Sequence, residues 1–308
     1  MSQHEPSEPA LPSPPSVAIV GPGAIGTTVG AALHEAGRTP MLCGRTARSQ
    51  LQLQLQINEG LIVVPGPVQI DPAQDIPAVE LVIVAVKSTQ VEGAAPWLST
   101  LCHPGTVVCV LQNGVEQQST IAPYVPGCSV VPAVVWFPAQ TRPDGSVWLR
   151  GQPHLTVPDV PAAHAVIEAF AGTRCAVETA ADFTSVAWRK LLQNAAAGLM
   201  ALTGRRSGMF SRADVGQLSL HYLHECLAVA RAEGANLGDD VPQAIIDSFR
   251  AHPPDLASSI LIDREAGRPL EWDTRNGVIV RRGRAHGLPT PISDVVVPLL
   301  AATSDGPG

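Results

Sequence analysis

Residues 17–26 read VAIVGPGAIG, four apolar residues followed by glycines in the pattern Gly-x-Gly-x-x-Gly. The apolar run predicts a buried strand, and the residues after the glycines predict a helix. In this context Gly21 would form the tight turn, Gly23 would let the backbone approach a pyrophosphate, and Gly26 would let helix and strand pack closely. Because a helix N-terminus also attracts anions, the motif predicts a dinucleotide site with contacts at Gly21, Gly23, Ala24, Ile25 and Gly26. An ordinary glycine turn is the plainer alternative.

The segment after the second predicted strand, Pro40–Cys43, indicates which dinucleotide binds. Enzymes that bind NAD usually carry an acid there, about 20 residues after the glycines, for the ribose 2′-hydroxyl. This sequence has Gly44-Arg45-Thr46-Ala47-Arg48 and no acid. A guanidinium group forms a planar fork that suits a phosphate, so Arg45, helped by Thr46 and Arg48, favours NADP. The alternative is that these arginines only solvate a loop.

Strand-like and helical stretches alternate from residue 16 to about residue 180, which is typical of a doubly wound parallel sheet. Further strands are predicted at Leu81–Val86, Val107–Leu111 and Val130–Val135. These runs are apolar throughout, as expected of strands that helices cover on both faces. A Pro-Asp-Gly turn at 143–145 predicts an antiparallel hairpin between Val134–Phe137 and Val147–Leu149.

After residue 182 the pattern changes to apolar residues at helical spacing, in Ser185–Ala201, Val215–Ala232 and Arg275–His286. The predicted fold class is therefore α/β, with an N-terminal Rossmann-type doubly wound parallel sheet and a C-terminal all-helical domain. We predict a disordered leader at 1–15, an NADP-binding domain at 16–181, a helical substrate and catalytic domain at 182–303, and a tail at 304–308.

Composition excludes several classes of protein. With 45% hydrophobic and 15% charged residues the chain is globular, and its apolar runs are too short for a membrane helix. A net charge of −7 argues against nucleic acid as a partner, and anionic ligands would need locally positive sites. Six cysteines without a CxxC pair are expected to be reduced, and the N-terminus lacks a signal peptide, so we expect a cytoplasmic protein. No metal site is expected, because His221 and His224 match no metal motif.

Taken with the glycine motif, four further segments resemble the ketopantoate reductase family. The resemblance extends over nearly all of the chain after the leader. They are AVKSTQ at 85–90, QNG at 112–114, WRKLLQN at 188–194, and residues 258–277, which include Ser258-Ser259, RPLEWD and Asn276-Gly277. The resemblance implies that NADPH delivers a hydride to the 2-keto carbon of ketopantoate (2-dehydropantoate). The product would be pantoate, on the route to pantothenate and coenzyme A.

The resemblance also implies roles for single residues. The family's cofactor-contacting residues match Lys87 and Gln90, and its asparagine beside the nicotinamide and substrate matches Asn113. The family's catalytic lysine matches Lys190. Its acidic partner, which also approaches the cofactor, matches Glu271. The two substrate-binding residues match Asn194 and Ser259. One position departs from the family. A second asparagine, followed by proline, usually holds the hydroxyl or carboxylate end of the substrate, and here those two positions are Gly198 and Leu199.

The chemistry of these residues supports the same interpretation. Hydride transfer builds negative charge on the keto oxygen, which requires a cation or proton donor such as Lys190. Lys190 and Asn194 are four residues apart, so on a helix they share one face. Glu271, from a later helix, could fix the ammonium and tune its protonation. The plainer alternatives are a solvated helix lysine, a helix-start acid at Glu271 and an N-cap serine at Ser259.

Three functions remain open from the sequence. The first is NADPH-dependent reduction of ketopantoate, and the second is a related NADP-dependent enzyme that acts on another 2-keto or β-hydroxy acid, which Gly198 favours. The third is a non-catalytic NADP-sensing protein, although a sensor has no need for the set Lys190, Asn194 and Glu271. The expected partner is a small 2-keto acid. A homodimer is compatible with the sequence, which does not determine the oligomeric state.

Overall fold

The computed structural model describes residues 16–56, 59–73, 76, 77 and 79–306. The predicted leader at 1–15 lies outside the described residues, as do residues 307 and 308 of the predicted tail. All described strands lie before residue 181, and the described chain after it is helical. The predicted fold class is therefore confirmed. No described helix is long and apolar enough to cross a membrane.

The described strands follow one another through the first 180 residues. In chain order they are β1 (Val17–Val20), β2 (Met41–Cys43), β3 (Gln50–Leu55), β4 (Leu61–Pro65), β5 (Val68–Gln69), β6 (Leu81–Val84), β7 (Val107–Val110), β8 (Ser129–Pro132), β9 (Val134–Val135), β10 (Ala139–Thr141), β11 (Val147–Leu149), β12 (His154–Pro158) and β13 (Ala176–Ala180).

The described helices flank the sheet in the first half and then form the second domain. They are α1 (Ala24–Glu35), α2 (Val91–Leu101), α3 (Gln117–Ile121), α4 (Ala163–Phe170), α5 (Phe183–Thr203), α6 (Ala213–Ala232), α7 (Val241–Ala251), α8 (Ser259–Glu265), α9 (Val278–Ala285) and α10 (Ser293–Asp305). Short 3₁₀ segments lie at Ser88–Gln90, Ala122–Tyr124 and Ser207–Ser211, and a π-helical turn at Asp273–Gly277.

The main sheet has six parallel strands in the order β5-β2-β1-β6-β7-β8. Every residue of β1 and β6 is buried, as expected for apolar strands with helices on both faces. The chain leaves β1 to one side to form β2 and later returns on the other side as β6. Ligands of such sheets bind beyond the carboxyl ends of the strands at this reversal, which is where Gly21 follows β1.

The single strand predicted at Val130–Val135 is wrong. The chain forms β8 in the main sheet and then β9, which pairs with β12 in a three-stranded sheet of order β13-β12-β9. The two strands are separated only by Ala133, whose N–H still bonds the Val110 carbonyl of the main sheet. Because all these residues are apolar, the sequence pattern shows no sign of the change of sheet.

The Pro-Asp-Gly hairpin is present, but its first strand was predicted too early. Its strands are β10 and β11, in register from Thr141 opposite Val147. These strands join β3 and β4 in a four-stranded sheet of order β10-β11-β3-β4. Strands β3 and β4 were not predicted, although the alternating Gln and Leu residues at 50–55 have the period of a half-buried strand.

The second domain packs around the 21-residue helix α5. Asp182 begins this helix, because its carboxylate accepts a hydrogen bond from the Ser185 N–H at 3.0 Å. The buried face of α5 presents Trp188, Leu191 and Leu192 to a core shared with the helices that follow. Helix α5 also contacts β9, β12 and β13 of the first domain, so it lies at the junction of the two domains.

Ion pairs tie the second domain to the first. Arg281 and Arg282 both bind Glu116, at 2.7 Å and 3.0 Å. Glu116 immediately precedes α3 of the first domain, so this pair of arginines joins the domains.

All six cysteines are free thiols.

Candidate active site

The glycine turn leaves no room for side chains at two of its three glycines. Gly21 has a φ of +91°, and a Cβ there would lie 2.5 Å from Val86 Cγ1. A Cβ at Gly26 would lie 2.4 Å from the Gly21 carbonyl oxygen. At Gly23, by contrast, no atom lies within 4 Å of the position of a Cβ. The open side of the turn therefore faces the cleft, where α1 begins without a side-chain cap and can offer its N–H groups to an anion.

A cleft of about 1640 Å³ runs from this turn to the second domain. It is lined by eight basic residues, against three acidic ones, in a chain whose net charge is −7. The basic residues are Arg45, Arg48, Lys87, Arg150, Arg189, Lys190, Arg268 and Arg275, and the acidic ones are Glu92, Asp263 and Glu271. The excess of positive charge favours anionic ligands such as phosphates and carboxylates.

The two arginines after β2 lie in different environments. Arg45 is exposed on the cleft wall next to Thr46. Arg48 is half-buried, and its guanidinium donates a hydrogen bond to the Pro22 carbonyl at 2.6 Å. Burial lowers the pKa of Arg48. Arg48 therefore supports the glycine turn, whereas Arg45 is accessible to a ligand.

The cofactor contacts expected after β6 both line the cleft. Gln90 lies at the start of α2. The Lys87 ammonium forms an ion pair with Asp263 of α8, a buried carboxylate that also binds Arg268 at 2.9 Å. Sequence reasoning missed Asp263, and no local pattern marks it. The pair brings Lys87 to the junction of the two domains.

Lys190 and Asn194 share the cleft-facing side of α5, as their spacing predicts. The chain contains only two lysines, Lys87 and Lys190, and both line the cleft. Burial, followed by the nearby charge of Arg275, lowers the pKa of Lys190 to about 8. An amine with a pKa near the working pH can donate a proton and can also take one back.

A continuous polar network joins four of the candidate residues. The Asn194 amide donates to Asn113 Oδ1 at 3.2 Å, and the Asn113 amide donates to Glu271 Oε2 at 3.3 Å. Glu271 forms an ion pair with Arg275 at 3.5 Å, and Arg275 donates to Ser259 Oγ at 3.0 Å. The network crosses from the first domain to the second, so its geometry depends on how the domains meet.

Glu271 does not pair with Lys190, which the sequence analysis expected. Its carboxylate instead accepts the Ser88 N–H at 3.1 Å and binds Arg275. Burial alone would raise the pKa of Glu271, but the charge of Arg275, the Ser88 N–H and the charge of Lys87 lower it overall. Glu271 is therefore an ionised carboxylate that orients Asn113 and Arg275.

Ser259 is not the N-cap of α8. The cap is Ser258, whose hydroxyl accepts a hydrogen bond from the Leu261 N–H at 3.4 Å. The hydroxyl of Ser259 is therefore not needed to cap the helix, and it accepts a bond from Arg275 at the cleft wall.

The structure explains the departure at Gly198. A Cβ at this position would lie 2.7 Å from the amide nitrogen of Asn276, which occupies the space beside the helix. The Asn276 amide donates to the Ala195 carbonyl at 3.1 Å and to the Tyr222 hydroxyl at 2.9 Å. Asn276 is completely buried, so it does not replace the missing side chain in the cleft.

Arg275 and Asn276 were not assigned a role from the sequence. They are adjacent in sequence and both buried, because the π-helical turn at Asp273–Gly277 carries both side chains inward. The spacing of Arg275, four residues after Glu271, was the one available sign of an ion pair.

Two family models match the chain. The model described as "Ketopantoate reductase PanE/ApbA" matches residues 17–162, and "Ketopantoate reductase PanE/ApbA C terminal" matches residues 182–304.

Similar proteins cover almost the full length. A 2-dehydropantoate 2-reductase from Mycobacterium tuberculosis is 56% identical over 292 residues, 95% of this chain and 99% of the relative. Another from Caulobacter vibrioides is 37% identical, over 94% of this chain and 99% of the relative. The structure of a dimeric ketopantoate reductase from Staphylococcus aureus is 25% identical, with a TM-score of 0.86 over 95% of this chain and 100% of that one. The chain belongs to the ketopantoate reductase family, oxidoreductases that use a nicotinamide cofactor.

Proposed function

We propose that the protein catalyses the NADPH-dependent reduction of 2-dehydropantoate to pantoate, a step of pantothenate and coenzyme A biosynthesis. The observation that carries the proposal is the position of Lys190 and Asn194 on the wall of the basic cleft, together with the hydrogen bonds that join Asn194 through Asn113 to Glu271. The names of the relatives from Mycobacterium tuberculosis and Caulobacter vibrioides support the same substrate.

The residues present fit a dinucleotide. Beyond the carboxyl end of β1, the glycine turn leaves open space at Gly23 and the first N–H groups of α1 without a side-chain cap, and Lys87 and Gln90 line the same cleft. When bound, the cofactor supplies a hydride to the keto carbon. Gly21, Gly23, Ala24 and Ile25 line the cleft and would hold its pyrophosphate by backbone contacts, whereas Gly26, expected as a further contact, is buried and packs on the Gly21 carbonyl.

In the proposed mechanism, the Lys190 ammonium binds the keto oxygen, stabilises the charge that develops there and gives it a proton. Asn194 and Ser259 hold the substrate from two sides of the cleft, and Asn113 lies between Asn194 and Glu271. The ionised Glu271 keeps Asn113 and Arg275 in place. Arg275 in turn adds positive charge beside the substrate carboxylate and favours loss of the proton from Lys190.

We propose NADP rather than NAD as the cofactor, on the strength of Arg45. Arg45 is exposed on the cleft wall after β2, and no acid stands between Cys43 and Arg48 to bind a ribose 2′-hydroxyl. Arg48 is less available, because it binds Pro22. A bidentate guanidinium contact to a 2′-phosphate is the interaction that would distinguish the two cofactors.

The test is consumption of NADPH by the purified protein with 2-dehydropantoate, with NADH as the matched control. We expect turnover with NADPH and a kcat/KM for NADH at least tenfold lower. Equal use of NADH would contradict the cofactor proposal. A protein that binds NADPH but turns over no keto acid would instead be the NADP-sensing protein left open above.

Gly198 favours a second candidate, the same reduction of a 2-keto acid without a terminal hydroxyl. The side chain that the family usually carries at this position is absent, and the cleft beyond Asn194 is lined by apolar groups such as Ala197, Met200, Ile245 and Phe249. The pair 2-dehydropantoate and 3,3-dimethyl-2-oxobutanoate differs only by that hydroxyl. A higher kcat/KM for the second compound would favour this candidate.

We also propose that the domains divide at residues 181 and 182, directly before α5, and that two copies form a homodimer. The start of α5 at Phe183 and the two family matches support the division. The Staphylococcus aureus relative is described as dimeric, which supports the second proposal. Sedimentation equilibrium of the full chain would test it, with a monomer mass as the contrary result.

A further inference from the structure

The Lys190 ammonium has a single close partner among the described residues, and it is an aromatic ring. Lys190 makes no hydrogen bond or ion pair with them, but its Nζ lies 4.9 Å from the centroid of the Trp136 ring. The face of an indole ring is negative and attracts an ammonium at this distance. Trp136 is half-buried and lines the same cleft. We infer that Trp136 is a positioning residue, which holds the Lys190 ammonium ready at the cleft wall.

The indole is itself held in place from behind. Its Nε1 donates to Thr156 Oγ1 at 2.9 Å, and the buried Thr156 hydroxyl donates to Glu178 at 3.0 Å. The His154 ring stacks against the indole, with centroids 6.3 Å apart and planes 19° from parallel. The backbone N–H of Trp136 also donates a hydrogen bond to the His154 carbonyl at 3.0 Å. The indole is therefore held by a hydrogen bond at its Nε1 and by the stacked His154 ring.

These contacts give the small sheet of β9, β12 and β13 a function. Trp136 directly follows β9, while Thr156 and Glu178 face each other across the paired strands β12 and β13. The sheet therefore acts as a rigid platform that places an aromatic face opposite α5. A lysine has four rotatable side-chain bonds, so its ammonium needs such a partner to remain at one place in the cleft.

Trp136 also acts on the charge of Lys190. Burial and the positive charge of Arg275 lower the pKa of Lys190, which favours the neutral amine. The indole face favours the ammonium and so opposes both effects. The other charged or titratable groups around this site are Arg189 on α5, Glu271 beside Arg275, His154 stacked on the indole, and Glu178, which accepts from Thr156. Trp136 is the group in direct contact with the ammonium.

The inference rests on the role proposed for Lys190, but it can be measured without any substrate. Because the chain has only two lysines, the full-length protein labelled with ¹³C-lysine gives two sets of side-chain NMR signals, and Lys87→Arg assigns them. A titration of the Lys190 Cε signal then reports its pKa directly. Failure of the protein to reduce 2-dehydropantoate would leave this measurement unaffected.

We expect Trp136→Leu to lower the pKa of Lys190 by about one pH unit, because it removes the aromatic face. Trp136→Phe keeps an aromatic face and should restore most of the shift. Trp148→Leu is the matched control, since the Trp148 ring contacts Arg142 and Arg150. Trp148→Leu should leave the Lys190 titration unchanged. An unchanged pKa in folded Trp136→Leu would overturn the inference.

A measurement on the parent protein covers the case in which Trp136→Leu does not fold. In the parent protein, the ring current of the indole should move the Lys190 Hε signals upfield of the Lys87 signals, and equal shifts would overturn the inference. With substrate, Trp136→Leu should lower kcat about tenfold at pH 8 with a smaller change in KM, and Trp136→Phe should recover it. If Trp136 had only a structural role, its substitution would not shift the pKa of Lys190 and the alkaline limb of the kcat profile by the same amount.

Discussion

The two walls of the cleft are built in different ways. On one wall, the glycine turn depends on the backbone of six consecutive residues, where Gly21 has a φ of +91° and Gly26 packs on its carbonyl. On the other wall, side chains from both domains meet in the network of Asn194, Asn113, Glu271, Arg275 and Ser259. Substitutions in the turn should therefore affect stability and cofactor binding. Substitutions on the other wall should leave the cofactor bound, with the main effect on turnover at Lys190 and on the KM of the substrate at Asn194 and Ser259.

The largest effect on turnover is expected at Lys190, on the wall that is formed by side chains. Lys190→Ala removes the proposed proton donor, so kcat should fall on the order of 10²–10⁴-fold, while the Kd for NADPH stays almost the same. Steady-state kinetics and a cofactor titration measure the two quantities, and Lys190→Arg, which keeps the charge, is the matched variant. Turnover of Lys190→Ala within a few-fold of the parent would show that Lys190 is only a cleft lysine.

On the wall formed by the glycine turn, Gly21→Ala and Gly23→Ala distinguish an effect on folding stability from an effect on cofactor binding. Gly21→Ala places a Cβ against Val86 at a positive φ, so the free energy of unfolding should fall on the order of 3 kcal/mol. Gly23→Ala meets no neighbouring atom, so it should fold normally but bind NADPH more weakly. Denaturant unfolding and fluorescence titration of both variants measure this. Equal stability of the two variants would contradict the geometry of the turn.

Arg45→Ala tests the proposed choice of cofactor. Loss of a charged hydrogen bond to the 2′-phosphate should weaken NADPH binding by about 1.5–3 kcal/mol and leave NADH binding little changed. Arg212→Ala is the control, because Arg212 is exposed in the second domain and pairs with Asp214. An equal loss for both cofactors would mean that Arg45 does not contact the 2′-phosphate.

The pH dependence follows from the lowered pKa of Lys190, about 8. Reduction needs the ammonium, which is present below this pKa and lost above it, so kcat/KM should fall about tenfold per pH unit above pH 8. Oxidation of pantoate with NADP needs the neutral amine and should rise through the same range. Profiles of both directions can be recorded on the parent protein, and parallel profiles would exclude Lys190 as the titrating group.

The smallest effects are expected at the substrate contacts. Asn194→Ala and Ser259→Ala should each raise KM several-fold and change kcat less, since both residues hold the substrate in the ground state and the transition state alike. Asn194→Ala also removes a donor to Asn113. A fall in kcat larger than the rise in KM for either variant would move that residue from substrate binding to the chemical step.

Much of the fold could be predicted from local patterns. The strand at Val17–Val20, the change to helices after residue 182 and the shared face of Lys190 and Asn194 each depend on residues close in sequence. The prediction failed at Val130–Val135, where the chain changes sheets within one apolar run. Hydrophobicity reports that a strand is buried, but it does not report which sheet the strand joins.

The sequence by itself determined the glycine turn, the order of the two domains and a set of polar residues that line the cleft, among them Lys87, Lys190 and Glu271, because these depend on local patterns and on motifs in order along the chain. The tertiary structure alone decided which groups these residues contact. Lys87 meets Asp263 across 176 positions, Glu271 binds Arg275 instead of Lys190, and Trp136 lies under the Lys190 ammonium. Such contacts arise where two domains close on each other, and nothing in the local spacing of residues encodes that geometry.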